Sequence, residues 1–254
     1  MRVFAISDLH VDYQRNFSWV GNLSKAEFQE DVLLIAGDIS DDLRLLQDTM
    51  DILRSRFRAV FYTPGNHDLW TVPKRIECSL DKFYHVLEMA RKSGLQTSPE
   101  VIEGIHFVPL FSWYDYTFGR PGQELRNSWV DYQRVRWPQE YNDVSIAKYF
   151  SELNERFLDI RDTERKSKVV SMSHFVPSIK VLPTFIPRKF DFLHPVLGSK
   201  ILGEQVATLR PDVHVYGHSH VNQTTEINGV RFVNQALGYP NEHYIAQKGL
   251  LQIL

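Results

Sequence analysis

Five short segments of this chain set aspartate, histidine and asparagine at spacings that suit metal or phosphate chemistry. Asp8-Leu9-His10 places a carboxylate and an imidazole two residues apart, so that in extended backbone both point to one side. Ala36-Gly37-Asp38 offers a carboxylate just after a glycine, where the chain can turn sharply. Pro64-Gly65-Asn66-His67-Asp68 brings an amide oxygen beside a base and an acid. Ser173-His174 supplies one imidazole, and Gly217-His218-Ser219-His220 supplies two. Taken singly, each has a plainer reading: a surface pair, a helix cap ahead of Asp41-Asp42, a Pro-Gly turn, a hydrogen-bonded core histidine. Five of the ten histidines fall in these segments, and burying so many polar groups together with no ion to answer them is costly. An oxygen and imidazole set with no thiolate suits borderline-hard divalent ions, Mn2+ first, with Fe or Zn2+ as alternatives.

Such chemistry requires that the segments share one edge of the fold. Short apolar runs precede all five: Val3 to Ile6, Val32 to Ala36, Ala59 to Thr63, Val169 to Met172 and Val213 to Tyr216, with a further run at Ile105 to Leu110. Runs of this length bounded by turn residues read as strands buried on both faces. Parallel pairing would gather their carboxyl ends, where open α/β sheets bind ligands. Two hairpins are expected, Val101 to His106 around Glu103-Gly104 and Glu226 to Arg231 around Asn228-Gly229. Helices fill the gaps: Asp41 to Phe57, capped by Ser40 or Asp41, then Leu80 to Arg91 and Val144 to Ile160. The charge run Arg161 to Lys168 reads as a solvated helix end. Strands alternating with helices make an α/β fold.

The 254 residues are 43% apolar and 24% charged, with a net charge of −2, which is globular composition with room for a sizeable core. No repeat or low-complexity linker divides them, so a single domain over 1–254 is expected. Residues 111–141, crowded with Trp and Tyr among Gly, Pro and Arg, read as a long ordered loop or small cap packed by its own rings. No like-charge block marks a nucleic-acid partner, and no run approaches the ~18 apolar residues of a membrane span. Cys78 stands alone, which rules out an intrachain disulfide and fits a reducing compartment. A cytoplasmic protein with no membrane partner is expected, its oligomeric state open.

In order and spacing, the five segments resemble the calcineurin-like metallophosphoesterase superfamily. Its pattern runs D-x-H, G-D-x-x-D, G-N-H-D/E, a lone His and G-H-x-H. Here these are Asp8-Leu9-His10, Gly37-Asp38-Ile39-Ser40-Asp41, Gly65-Asn66-His67-Asp68, His174 and Gly217-His218-Ser219-His220. The resemblance implies a four-layer αββα sandwich and metal-dependent hydrolysis of a phosphodiester or phosphomonoester by a bridging hydroxide at a dinuclear centre. One ion would take Asp8, His10, Asp38 and His220, and the other Asp38, Asn66, His174 and His218. Two ions ~3.5–4 Å apart would activate water and neutralise phosphoryl charge. His67 would face the phosphate as a catalytic residue oriented by Asp41, with Asp68 as the alternative orienting acid.

Asp42 and Leu43 stand where Ser/Thr protein phosphatases carry Arg and Gly, which argues against that branch, and Pro177 lies further from His174 than in many relatives. A catalytically inactive scaffold of the same fold is opposed by the complete ligand set and His67. A nuclease of the superfamily is opposed by the lack of a basic surface or capping domains, and a lipid-linked nucleotide pyrophosphatase would need a larger apolar cap. The expected substrate is a small-molecule phosphate ester or nucleotide. Tyr114, Arg120, Arg126 and Arg134 are candidates to hold it, with Arg188 on a basic rim at Pro183 to Phe190 and the segment Asn234 to Pro240 also facing the site.

Overall fold

The structure is a computed structural model that describes residues 1–71, 78–159, 167–246 and 248–254. Strands β1 (Val3–Ile6), β2 (Val32–Ile35) and β3 (Ala59–Tyr62) pair in parallel, and β10 (Leu251–Gln252) closes the edge of this sheet antiparallel to β1. A second sheet runs in the order β4 (Glu100–Ile102), β5 (Ile105–Pro109), β6 (Lys168–Met172), β7 (Val213–Tyr216), β9 (Val230–Asn234), β8 (Gln223–Ile227). Its central strands β5, β6, β7 and β9 are parallel, and the flanking hairpins β4–β5 and β8–β9 are antiparallel. Both hairpins turn through two residues at positive φ, Glu103-Gly104 and Asn228-Gly229, the twist that two-residue hairpins favour.

Alternation along the strands sorts their side chains into layers. Val3, Ala5, Val32 and Leu34 meet Val170, Met172, Val213 and Val215 in the core between the sheets. The opposite face of the first sheet packs on α1 (Gln14–Gly21), α2 (Leu43–Arg56) and α3 (Ser79–Lys92) through Ile6, Leu33, Ile35, Leu46, Met50 and Val86. The outer face of the second sheet packs on α6 (Asp143–Leu158) and α8 (Lys200–Leu209) through Phe150, Val206 and Phe232. The fold is therefore the expected four-layer αββα sandwich.

Residues 111–141 form no strand. Two short helices, α4 (Gln123–Ser128) and α5 (Asp131–Arg134), interrupt them, and Phe111, Trp113 and Tyr114 sink into the outer core against Phe175 and Phe150. Helix α2 begins later than expected because Asp42, rather than Ser40 or Asp41, is its cap and accepts the N–H groups of Arg44 and Leu45 at 2.8 and 3.1 Å. Helix α6 starts from a reciprocal capping box between Asn142 and Ser145. The expected end of that helix at Ile160, and the charge run up to Lys166, lie outside the described residues. α7 (His194–Leu197) leads into α8. Among the described residues no helix is long and apolar enough to cross a membrane.

His214, on β7, is fully buried with one ring nitrogen 2.7 Å from Ser171 Oγ and the other 3.0 Å from Ser173 Oγ. Burial pulls this imidazole down to about 3. The unfolded chain then takes up a proton near pH 6.5 that the folded chain refuses until about pH 3. Stability from this group is complete above pH 6.5 and is lost as pH falls through that window, by at most about 1.4 kcal/mol per pH unit. Replacing His214 with Gln should flatten the acid side of the urea-unfolding profile of the metal-free protein; identical acid limbs in the two proteins would refute this assignment.

Candidate metal centre

Both sheets end their parallel strands at the same place. The carboxyl end of β1 meets the end of β9, where Ser7 N–H donates to Gln235 O at 2.9 Å and Leu237 N–H returns to Ser7 O at 2.9 Å. The segments after β1, β2, β3, β6 and β7 converge on this junction. Their backbone is unusual: Asp8, His10, Asp38, His218 and His220 all have φ between 41° and 67°. Left-handed backbone costs a non-glycine residue on the order of 1–2 kcal/mol, so five donors in this state mark a strained, functional constellation. Two glycines let the loops close. A Cβ on Gly65 would lie 2.1 Å from Asp38 Oδ1, and one on Gly37, at φ +81°, would lie 2.5 Å from His174 Nδ1.

The donors form two groups that share Asp38. Ligand-type atoms of Asp8, His10, Asp38 and His220 lie within 4.8 Å of one another, as do those of Asp38, His174 and His218. Asn66 joins the second group, its Oδ1 3.0 Å from His174 Nε2. Hydrogen bonds decide which ring nitrogen of His174, His218 and His220 is turned inward. His174 Nδ1 lies 2.8 Å from Ala36 O, which leaves Nε2 free, and His218 Nε2 lies 3.0 Å from Val196 O, which leaves Nδ1 free. Those two free nitrogens face each other at 3.1 Å. His220 Nδ1 is bound to Glu242 Oε2 at 2.8 Å, and its Nε2 faces His10 Nε2 at 3.0 Å. In the second group lone pair opposes lone pair, and a cation shared between the facing atoms is what makes such an arrangement favourable. The residues present therefore fit divalent metal ions, with no thiolate among the donors.

Electrostatics agrees with that fit. Burial pushes the Asp38 carboxyl well above the usual range, and the Asp68 and Asp8 carboxylates push the same way. Burial would also raise Asp8, but His220 at 3.4 Å holds it lower. Burial would lower His220, yet Asp8 and Glu242 bring it up to about 10. Burial and neighbouring imidazoles push His10, His67 and His218 well below the ordinary value, and burial lowers His174. A divalent ion answers the carboxylates without a proton and leaves the imidazoles neutral.

His67 belongs to neither group. Its ring stacks on Trp70 at a centroid distance of 3.5 Å, and its Nε2 lies 3.4 Å from Tyr239 Oη. Both expected orienting acids are engaged with groups other than the His67 ring. Asp41 is half-buried and lies 3.8 Å from Arg134, and no hydrogen bond joins it to His67. Asp68 is fully used elsewhere: its carboxylate accepts the N–H groups of Asp38, Ile39, Ser40 and Gly65 at 2.8–3.1 Å and the Tyr62 hydroxyl at 2.8 Å. It ties the loop after β2 to the loop after β3.

A cavity of about 340 Å³ opens beside the centre. Asp38, Asn66, His67, His218 and His220 line it together with Trp70, Trp129, Asp131, Leu193, Tyr239 and Glu242. No lysine or arginine is among the described residues that line it. Three expected substrate contacts are not brought to this cavity. Tyr114 is buried under Trp113 and Phe175, while Arg120 and Arg188 are exposed away from its lining. Arg134 is engaged with Asp41 and the Trp70 face, and Arg126 is exposed. The segment Asn234 to Pro240 does reach the centre, through Tyr239, whose ring lies 4.5 Å from that of His10. Sequence reasoning missed Glu242 and Asp131. Asp131 accepts Asn66 Nδ2 at 2.9 Å, Trp70 Nε1 at 2.7 Å and Trp129 Nε1 at 2.9 Å. Burial brings it up to about 6 even though those three donors pull it down. Neither acid stands in a motif, and Asp131 lies in a stretch without period, so no local signal singled them out.

Comparison with known proteins agrees with this geometry. The family model for calcineurin-like phosphoesterase matches residues 1–222, and the chain belongs to that family. The acyl-carrier-protein phosphodiesterase PptH of Mycobacterium tuberculosis is 27% identical over 263 residues, covering 94% of this chain and 78% of the relative. The crystal structure described as phosphopantetheinyl hydrolase (PptH) from Mycobacterium tuberculosis superposes with a TM-score of 0.82 at 24% identity, covering 100% of this chain and 95% of that one, a likeness of fold.

The Asp68 hub gives a direct stability test. Asp68→Ala leaves four buried N–H groups without their acceptor, and should cost roughly 3 kcal/mol or more in the urea-unfolding free energy of the metal-free protein. A loss below ~1 kcal/mol would show that the two loops are held by other means.

Proposed function

We propose that this chain, a member of the calcineurin-like phosphoesterase family and a hydrolase of phosphoric ester bonds, acts on a phosphodiester over two divalent cations. One cation is held by Asp8, His10, Asp38 and His220, and the other by Asp38, Asn66, His174 and His218. The observation that carries this reading is the pair of donor groups sharing Asp38, with facing ring nitrogens turned inward in each. Two carboxylates, an amide oxygen and imidazole nitrogens favour Mn2+. When bound, the two ions supply an activated water at neutral pH and neutralise charge on the phosphoryl oxygens.

The chain's own groups do the rest. Ala36 O, Val196 O and Glu242 hold His174, His218 and His220 in the tautomers that present a free nitrogen. His67, supported on Trp70 and beside Tyr239 Oη, presents its ring to the cavity and hydrogen-bonds a phosphoryl or leaving-group oxygen. Among the described lining residues, His67 and the donor groups are the ones placed to receive a phosphoryl group, with no lysine or arginine for further phosphates. A single phosphodiester with a slim, uncharged arm fits such a cavity better than a nucleotide with further phosphates. PptH is named for phosphodiesterase action on acyl-carrier-protein and for phosphopantetheinyl hydrolysis. We extend that reading to this chain: it releases a phosphopantetheinyl group from a carrier protein.

With Mn2+ added, intact mass spectrometry should show a phosphopantetheinylated carrier protein losing that group; no loss with Mn2+, Fe2+ or Zn2+, alongside turnover of nucleotide diesters, would overturn the substrate assignment. His67→Ala should keep both metal equivalents while kcat falls about 10²- to 10⁴-fold, and unchanged turnover would remove His67 from the reaction. Asp38→Ala should lose metal from both groups by elemental analysis, and wild-type metal content would refute its shared role.

A further inference from the structure

The amide of Asn66 has two ends, and which end faces the second donor group is decided outside that group. Its Oδ1 lies 3.0 Å from the free Nε2 of His174. A rotation by half a turn would instead place the Nδ2 group there, where it would donate to His174 and present hydrogens to any cation. In that orientation Oδ1 would oppose whatever the amide now faces on its other side. That neighbour is Asp131, 1% exposed, whose Oδ1 accepts Asn66 Nδ2 at 2.9 Å. A carboxylate accepts and does not donate, so it admits only the Nδ2 end. The same oxygen accepts Trp70 Nε1 at 2.7 Å, and Trp70 carries the stacked ring of His67. The other oxygen is fixed by Trp129 Nε1 at 2.9 Å.

We infer that Asp131 is a positioning residue: it locks Asn66 with its oxygen toward the second cation, and through Trp70 it sets the ring of His67. The aromatic stretch around it is thereby an alignment device for the centre as well as a wall of the cavity. This inference rests on the two-cation reading above. A second carboxylate in the same stretch provides a natural control. Asp143 accepts Trp113 Nε1 at 2.9 Å, Trp137 Nε1 at 3.1 Å and the Tyr116 hydroxyl at 2.5 Å, and none of these is a metal-donor residue.

The test is titration of metal-free protein with Mn2+ by calorimetry, with bound metal checked by elemental analysis. Wild type should take two equivalents. Asp131→Ala should bind one of them roughly ten- to hundredfold more weakly and leave the other unchanged, whereas Asp143→Ala should match wild type. In an Asn66→Asp background, where residue 66 has an oxygen at either end, adding Asp131→Ala should no longer weaken binding. The pair Asn66→Asp with Asp131→Asn, made in a Trp70→Phe background because Trp70 Nε1 donates to the same Asp131 oxygen, keeps the hydrogen bond between the two residues with reversed polarity; it should take two equivalents, and it carries the test if the alanine variant does not fold. Wild-type affinity in Asp131→Ala, equal weakening in Asp143→Ala or in the Asn66→Asp background, or loss of an equivalent from the reversed pair overturns the inference alone. Fewer than two equivalents in wild type overturns the two-cation reading and this inference together.

Discussion

A carboxylate buried beside other carboxylates must be answered by hydrogen bonds or by positive charge, and Asp38 has few of the first. It is 1% exposed, with Asp8 and Asp68 close enough to raise its proton affinity, and it accepts a single backbone N–H, from His67 at 2.9 Å. Its neighbours are answered differently. Asp68 is satisfied by five hydrogen bonds and Asp8 by the imidazole of His220. Asp38 instead faces two sets of imidazole nitrogens, so both donor groups share it.

The scaffold holds this arrangement by an economy of direction. Parallel pairing in both sheets sends strand after strand to the same edge, and the junction of β1 with β9 brings those edges together. Each donor segment then leaves its strand through a sharp turn, several of them in left-handed backbone. The strain is borne by strands whose residues are buried on both faces, with apolar cores on either side of each sheet. Rigidity near the centre follows from the same packing, since His174 and His218 are held by backbone carbonyls of neighbouring segments.

The aromatic stretch solves a different problem. Its rings bring large apolar area, but each indole also brings an N–H that needs an acceptor when buried. Asp131 and Asp143 collect all three of the stretch's indole donors, and Asp131 also takes that of Trp70. Because one of the two carboxylates also meets Asn66, the packing of the stretch and the alignment of the donors are coupled.

Much of the molecule was legible in the residues. The strand cores were read to within a residue or so because short apolar runs bounded by turn residues are a local signal, and both hairpins followed from glycine-containing turns. The five polar segments stood out because each follows a strand, and the resemblance to the family's pattern implied which seven of their residues are ligands. What sequence could not supply was orientation. Asp41 matches its motif yet pairs with Arg134, a partner brought from the aromatic stretch. Tyr114 went to the core, and Arg120 and Arg188 to solvent, because nothing periodic constrains the stretches that carry them. Glu242 and Asp131 became partners of His220 and Asn66 only when segments 22 and 65 residues away in sequence were packed against them. The sequence by itself determined which residue types reach the edge of the sheets, because strand length and turn chemistry are local. Tertiary structure alone decided which atoms face inward, because a side chain's hydrogen-bond partners come from elsewhere in the chain.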